Sequence, residues 1–179
     1  MTEPLSLVEA HINVSTRILE LITSLSSVRI LTLTCQTMRG LIAIPIFIRN
    51  RPRFPNLVKL VIGINGSWEW NFLLDLLDRM PNLEHITFSD GLLCIDQIYN
   101  QKCNLPTPMA TCLLSNVKAI VLLNFDAVIW EEFAFIRYLL NNAKKLETLT
   151  ISAPNICHKK REEILKFSRG SKFCRIEFI

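Results

Sequence analysis

Asp75 with Asp78, and Glu131 with Glu132, are the carboxylate pairs that could do acid–base work in this chain of 179 residues. Ordinary helix surfaces carry such pairs, and no nucleophile, base and orienting group gather around these. Cys157 and His158 are adjacent and could open a zinc site, but a structural zinc needs four ligands at short paired spacings. The histidines, His11, His85 and His158, fall in separate stretches, and the cysteines, Cys35, Cys94, Cys103, Cys112, Cys157 and Cys174, contain no Cys-x-x-Cys. A Gly-rich phosphate loop, a nucleophile elbow and His-Glu-x-x-His are all missing, and five glycines are too few for a glycine-built site. The residues therefore predict a chain that is not an enzyme and holds neither metal nor cofactor.

The elements that would have to position such residues are written as a repeat. A loose Leu-x-x-Leu-x-Leu pattern reads Val28-Leu31-Leu33, Leu57-Leu60-Ile62, Leu83-Ile86-Phe88, Val117-Ile120-Leu122, Leu146-Leu149-Ile151 and Phe173-Ile176-Phe178, with starts 29, 26, 34, 29 and 27 residues apart. A weaker copy, Leu7-Ala10-Ile12, stands in front. Periods in this range mean stacked strand-plus-helix units, an α/β solenoid, and such a stack makes a long binding surface more readily than a catalytic pocket.

Phe54-Pro55-Asn56-Leu57 and Met80-Pro81-Asn82-Leu83 repeat one tetrad. Proline lacks an amide hydrogen and disfavours helix in the residue before it, so each tetrad is read as a joint from helix to strand. Helices are predicted over Thr16–Leu25, Trp68–Arg79, Trp130–Ala143 and Lys159–Phe167. In the second, Phe72, Leu73, Leu76, Leu77 and Met80 form the inward stripe while Asp75, Asp78 and Arg79 look out; in the third, Phe133, Ile136, Leu140 and Ala143 share a face opposite Glu131, Glu132 and Arg137. Cys35 to Arg53 reads as mixed, because Pro45 interrupts it and Ile42, Ile44, Ile46 and Ile48 alternate as in a strand. Asp90 to Thr111 reads as an irregular connection rich in turn formers. Trp68, Trp70 and Trp130 each precede a helix, where an indole more often closes a repeat's core than binds a partner.

Half of the residues are hydrophobic, enough for a continuous core. The longest apolar run, Leu41 to Ile48, is far short of the roughly 20 residues of a spanning helix, so no membrane association is expected. Met-Thr-Glu-Pro has none of the marks of a secretory leader, which predicts an intracellular protein, cytoplasmic or nuclear and not secreted, with reduced thiols. The net charge of +4 lies in the segment from His158 onward, where Lys159, Lys160, Arg161, Lys166, Arg169, Lys172 and Arg175 outnumber Glu162, Glu163 and Glu177. Lys159 and Lys160 stand four and three residues before Glu163, as on a solvated helix surface.

With the repeat positions turned inward, strand alternation sends their neighbours to the other face. Thr32, Lys59, Val61, His85, Thr87, Val121, Thr148 and Thr150 are the candidate protein-binding residues on that face. They are small, β-branched and lightly charged, which suits a protein better than a nucleic-acid backbone.

Residues 54–60, Trp70 ahead of a Leu-rich helix, 80–84, 112–118, 138–146 and the ending 169–178 resemble the plant F-box proteins with leucine-rich repeats and an FBD region. The resemblance implies degenerate leucine-rich repeats over 1–104 and an FBD-like region over 105–179 that continues the solenoid. It departs from the repeat consensus, which places Asn or Cys eight positions after the first leucine, in that only Asn65 occupies that place. The stretch from Lys159 to Arg169 also looks short beside the family pattern. The family's F-box, which docks on a Skp1-type adaptor, is expected to have no counterpart here, so adaptor binding is expected only if an F-box is supplied upstream. The implied function is the substrate-recognition part of an SCF-type ubiquitin ligase receptor, with an unknown protein target. A truncated relic or decoy without a ligase role, and phosphate or nucleic-acid binding through the basic C-terminal segment, are the alternatives.

Overall fold

The alternation of the repeat pattern sorts the side chains of a single parallel sheet. The structure, a computed structural model, describes residues 7–44, 52–63, 70–90, 110–125 and 130–179, without the side chains at 70, 71 and 130–132. Its strands are β1 (Glu9–Ile12), β2 (Ile30–Leu33), β3 (Lys59–Ile62), β4 (His85–Phe88), β5 (Ala119–Leu122), β6 (Thr148–Ile151) and β7 (Arg175–Phe178). They pair in chain order, all parallel. The described helices are α1 (Ile18–Ser24), α2 (Cys35–Ile42), α3 (Trp70–Leu77), α4 (Thr111–Ser115), α5 (Trp130–Asn142) and α6 (His158–Leu165). No helix among the described residues is long and apolar enough to cross a membrane. The expected leucine-rich-repeat architecture is thus realised as seven stacked strands, the first six each followed by a described helix, with the weak leading copy forming β1.

Register explains the core. Ala10, Leu31, Leu60, Ile86, Ile120, Leu149 and Ile176 form one inward rank, and Ile12, Leu33, Ile62, Phe88, Leu122, Ile151 and Phe178 the next. From β2 to β6 every residue of both ranks is buried, as are Val28, Leu57, Leu83, Val117 and Leu146 ahead of them. Each such side chain contributes about 1.5–3 kcal/mol by leaving water. Neighbouring helices pack on one another, α1 on α2, α4 on α5 and α5 on α6.

The units are tied by a recurring two-amide clasp. The carbonyl before each strand accepts two N–H groups from the next unit: Val58 O from Glu84 N at 2.9 Å and His85 N at 3.0 Å, Glu84 O from Lys118 N at 2.8 Å and Ala119 N at 3.1 Å, and Lys118 O from Glu147 N at 2.7 Å and Thr148 N at 3.1 Å. At the seventh unit the clasp halves, for Glu147 O receives only Arg175 N, at 2.8 Å.

That half-clasp marks a correction. Phe173, read from sequence as a core position, is 83% exposed, and Cys174 is buried in its stead. In four other units the first core residue donates its N–H to the carbonyl three residues earlier, as Leu57 does to Phe54, and here Cys174 does so to Ser171. The last unit is one residue shorter between this position and the strand, so the inward set is Cys174, Ile176 and Phe178, and Phe173 is turned out.

Two helices differ from expectation. Cys35–Ile42 is helical, started by Thr34, whose hydroxyl accepts the Thr37 N–H at 3.4 Å. Buried Thr37 donates its own hydroxyl to Ile12 O and accepts from Val14 N, both at 3.0 Å, so it closes the turn after β1. Pro45 and the alternating Ile46 and Ile48 lie outside the described residues. The short α4 begins at the end of the expected irregular connection, most of which, like Asn65 and Trp68, is also outside the described residues.

Candidate functional site

The eight candidate residues come together on the sheet face opposite the core. Thr32, Val61, Thr87, Val121 and Thr150 stand side by side on five consecutive strands, and Lys59, His85 and Thr148 belong to the rank beside them, with Ala119 between His85 and Thr148. At roughly 4.8 Å per strand, the Thr32-to-Thr150 rank runs about 19 Å. Its members are half-buried, while Lys59 and His85 are exposed. The ranks continue to Arg175 and Glu177 on β7, both exposed.

Of the carboxylates weighed for acid–base chemistry, Asp78 does structural work. Asp75 is exposed on α3 and Asp78 is exposed just past its end, where Asp78 Oδ1 accepts the Thr111 N–H at 2.7 Å, which caps α4. Nearby, burial and then the Asp78 charge raise the Cys112 thiol from its ordinary 9.0 to about 12. The same two causes raise the Tyr138 phenol. Glu131, Glu132 and the rings of Trp70 and Trp130 fall among the side chains not described.

Cations of α5 and of the basic end stack on rings. Arg137 lies 4.7 Å from the centre of Phe167, Lys160 5.5 Å from Phe133 and Arg161 5.3 Å from Phe178. Arg169 donates to Cys174 O at 2.7 Å and Leu165 O at 3.3 Å. His158 Nδ1 sits 3.8 Å from Glu162 Oε1, one helical turn on. These contacts pin α6 onto α5 and β7.

Along the helix-to-strand joints, asparagines bridge successive units. Asn82 Nδ2 donates to Pro55 O at 2.8 Å, and Asn116 Nδ2 donates to Pro81 O. Each asparagine immediately precedes the first core residue of its unit, and the next two such positions hold Lys145 and Phe173. Where the rungs stop, a cleft of about 710 Å³ opens, lined by Lys118, Lys144, Lys145, Glu147, Ser171, Phe173 and Arg175. Lys118 Nζ reaches Glu84 Oε2 at 2.9 Å, a bond that holds the Glu84 carboxyl below its ordinary 4.5. Sequence reasoning missed this cleft, since Phe173 was counted into the core and the lysines belong to different units.

The FBD family profile matches residues 106–151, a stretch that contains α4, β5, α5 and β6. An F-box/FBD/LRR-repeat protein of Arabidopsis thaliana is 30% identical over 179 residues, covering 97% of this chain and 40% of the relative. The chain belongs to the plant F-box/FBD/LRR-repeat family. An FBD-associated F-box protein of the same plant is 32% identical over 97 residues, 53% of this chain and 23% of its own length. A putative F-box/FBD/LRR-repeat protein is 29% identical over 134 residues, 70% of this chain and 30% of its own. The chain therefore spans well under half the length of these family members, and no solved structure matches it. Within the FBD match fall Lys118, Lys144, Lys145 and Glu147 of the cleft, and Val121, Thr148 and Thr150 of the sheet face.

Proposed function

We propose that this chain is a protein-binding module, the substrate-recognition part of an SCF-type ubiquitin ligase receptor, with its target held on the outer face of the sheet. The observation that carries the reading is the unbroken rank Thr32-Val61-Thr87-Val121-Thr150, flanked by Lys59, His85 and Thr148. Small and β-branched side chains held by a paired sheet lose little freedom when a partner covers them, and a lightly charged surface loses little hydration. Residues 1–104 and 105–179 act in this reading as one body, and an F-box supplied upstream recruits the Skp1-type adaptor.

The test is a triple substitution, Val61→Arg with Thr87→Arg and Val121→Arg, in the chain expressed in plant cells with a proximity-labelling tag. Bulky cations on the rank are expected to lower labelling of true partners by about tenfold, as at hot-spot positions. Lys159→Glu on the far side of the molecule should leave labelling intact. A labelled set unchanged by the triple variant overturns the assignment of this face.

A further inference from the structure

At the N-terminal ends of β5, β6 and β7 the asparagine rungs stop, a cleft of about 710 Å³ opens, and a phenylalanine stands 83% exposed at its wall. Four cations, Lys118, Lys144, Lys145 and Arg175, line the cleft against a single carboxylate, Glu147. Two of them are occupied: Lys118 by Glu84, and Lys144, which donates to Asn141 O at 3.0 Å. Lys145 and Arg175 make no side-chain hydrogen bond or ion pair among the described residues.

The geometry points to this cleft as a docking site for an acidic peptide segment of a partner protein, one that sets an aromatic or large aliphatic residue beside its aspartates or glutamates. Charge complementarity selects the acidic side chains, which Lys145 and Arg175 receive, and the Phe173 ring takes the apolar one. Glu147 in the wall can accept peptide N–H groups, which a phosphate chain lacks. A nucleic-acid backbone takes ranks of unoccupied Lys and Arg, whereas two stand free here. Arg175 also ends the first outer rank of the sheet, so the cleft adjoins that face. The inference stands apart from the reading of the face, since a peptide can dock here whatever the outer ranks hold.

The probe is a short fluorescein-labelled peptide of aspartate and glutamate around one phenylalanine, titrated with the full chain at low salt and read by anisotropy. Lys145→Glu with Arg175→Glu is expected to weaken binding about tenfold or more, the scale of losing a charge pair at an interface. Phe173→Ala should weaken that peptide while leaving the counterpart with alanine at its centre within about twofold, a coupling between two contacting side chains. All three residues are exposed, so the melting curves should not move. The control Lys159→Glu with Lys166→Glu, which changes net charge equally on α6 and at its C-terminal cap, should leave affinity unchanged. Three results would overturn the proposal: no binding of the acidic peptide beyond that of its Asp→Asn and Glu→Gln form, an equal loss in the α6 control, or displacement by a single-stranded oligonucleotide at lower concentration than by unlabelled peptide.

Discussion

Replacing Gly63 by alanine should loosen the second and third units while leaving the outer face untouched. A Cβ at Gly63 would lie 2.4 Å from the Cys35 amide nitrogen, 2.4 Å from Asp90 Oδ2 and 3.0 Å from the Thr34 carbonyl carbon, where ordinary contact starts at 3.4 Å. Asp90 can swing into solvent, but the Thr34–Cys35 backbone cannot. Thr34 N donates to Ile12 O at 3.1 Å, Met38 N to Thr34 O at 2.9 Å and Gly63 N to Leu33 O at 2.7 Å, so the turn is held from both sides. Making room by about 1 Å is an overpacking event, worth about 1–3 kcal/mol. At about 2–4 °C per kcal/mol for a chain of this size, Tm should fall by between about 2 and 12 °C. Gly40→Ala is the contrast. Its Cβ would meet the Ile18 Cδ1 methyl at 2.3 Å, the movable end of a side chain, and Ser15 O at 3.2 Å. Inside α2, alanine gains about 1 kcal/mol of helix propensity, so the net change there should stay within about 1 kcal/mol of zero. Urea unfolding of both variants and the parent reads the difference directly. A Gly63→Ala chain as stable as the parent, or a Gly40→Ala chain that is the worse of the two, would refute the claim that backbone proximity sets the requirement.

Leu149→Ala, in the middle of an inward rank, should cost about 2–5 kcal/mol, whereas Thr150→Ala one residue along should cost about 1 kcal/mol or less; equal losses in a denaturant series would contradict the assigned faces. Asn116→Ala removes the rung to Pro81 O and should lower unfolding free energy by about 1 kcal/mol, measured against Asn56→Ala as a reference at the same joint position. Under brief alkylation with iodoacetamide and peptide mapping, exposed Cys157 should be modified well before Cys112 and Cys174, which are buried thiols raised by desolvation; early labelling of Cys112 would show that α4 opens readily. The same thiol sets an alkaline limit. Unfolded Cys112 ionises near its ordinary 9.0 and folded Cys112 near 12, so the unfolded chain binds fewer protons between those values. Stability should therefore fall as pH rises from about 9 toward 12, and Cys112→Ser should flatten that slope in urea titrations.

The strands were legible because a parallel sheet writes its burial into alternate residues, and every rank from β2 to β6 falls where the repeat pattern places it. Helices were read well where their apolar stripe was long. On α5 the reading captured Ile136, Leu140 and Ala143 but not Phe135 or Leu139, for the helix buries a wider arc, with Phe135 edge-on to Phe88 at 5.3 Å. α2 was hidden because its cap comes from Thr34 and its anchor is a buried threonine, Thr37, whose partners lie in another unit. Side-chain capping and backbone satisfaction across units leave no periodic trace. The basic end was read as a solvated helix face; the stacking of Lys160 on Phe133 and of Arg161 on Phe178 needed the helix docked before it could be seen.

The candidate site divides along the same line. The outer ranks follow from strand alternation alone, so their membership could be written from sequence, whereas the cleft arises from two interruptions that hydrophobic pattern cannot detect. One is the change from asparagine to Lys145 at the joint, which removes a rung without changing any apolar position. The other is a one-residue shortening before β7, where phenylalanine precedes cysteine, so a reading by apolarity chooses the ring for the core and the backbone chooses the thiol. Lengthening that segment tests the cause. One glycine inserted between Ser171 and Lys172 would set Phe173 three residues after Ser171 and two before Arg175, the spacing of Leu146 after Ala143 and before Thr148, letting Phe173 rather than Cys174 occupy the inward position. If spacing sets the arrangement, the insertion should bury Phe173, expose Cys174 to iodoacetamide and close the cleft to the acidic peptide. If Cys174 stays protected after the insertion, the turned-out phenylalanine is held by Arg169 and its bond to Cys174 O instead, and Arg169→Ala becomes the substitution that moves it.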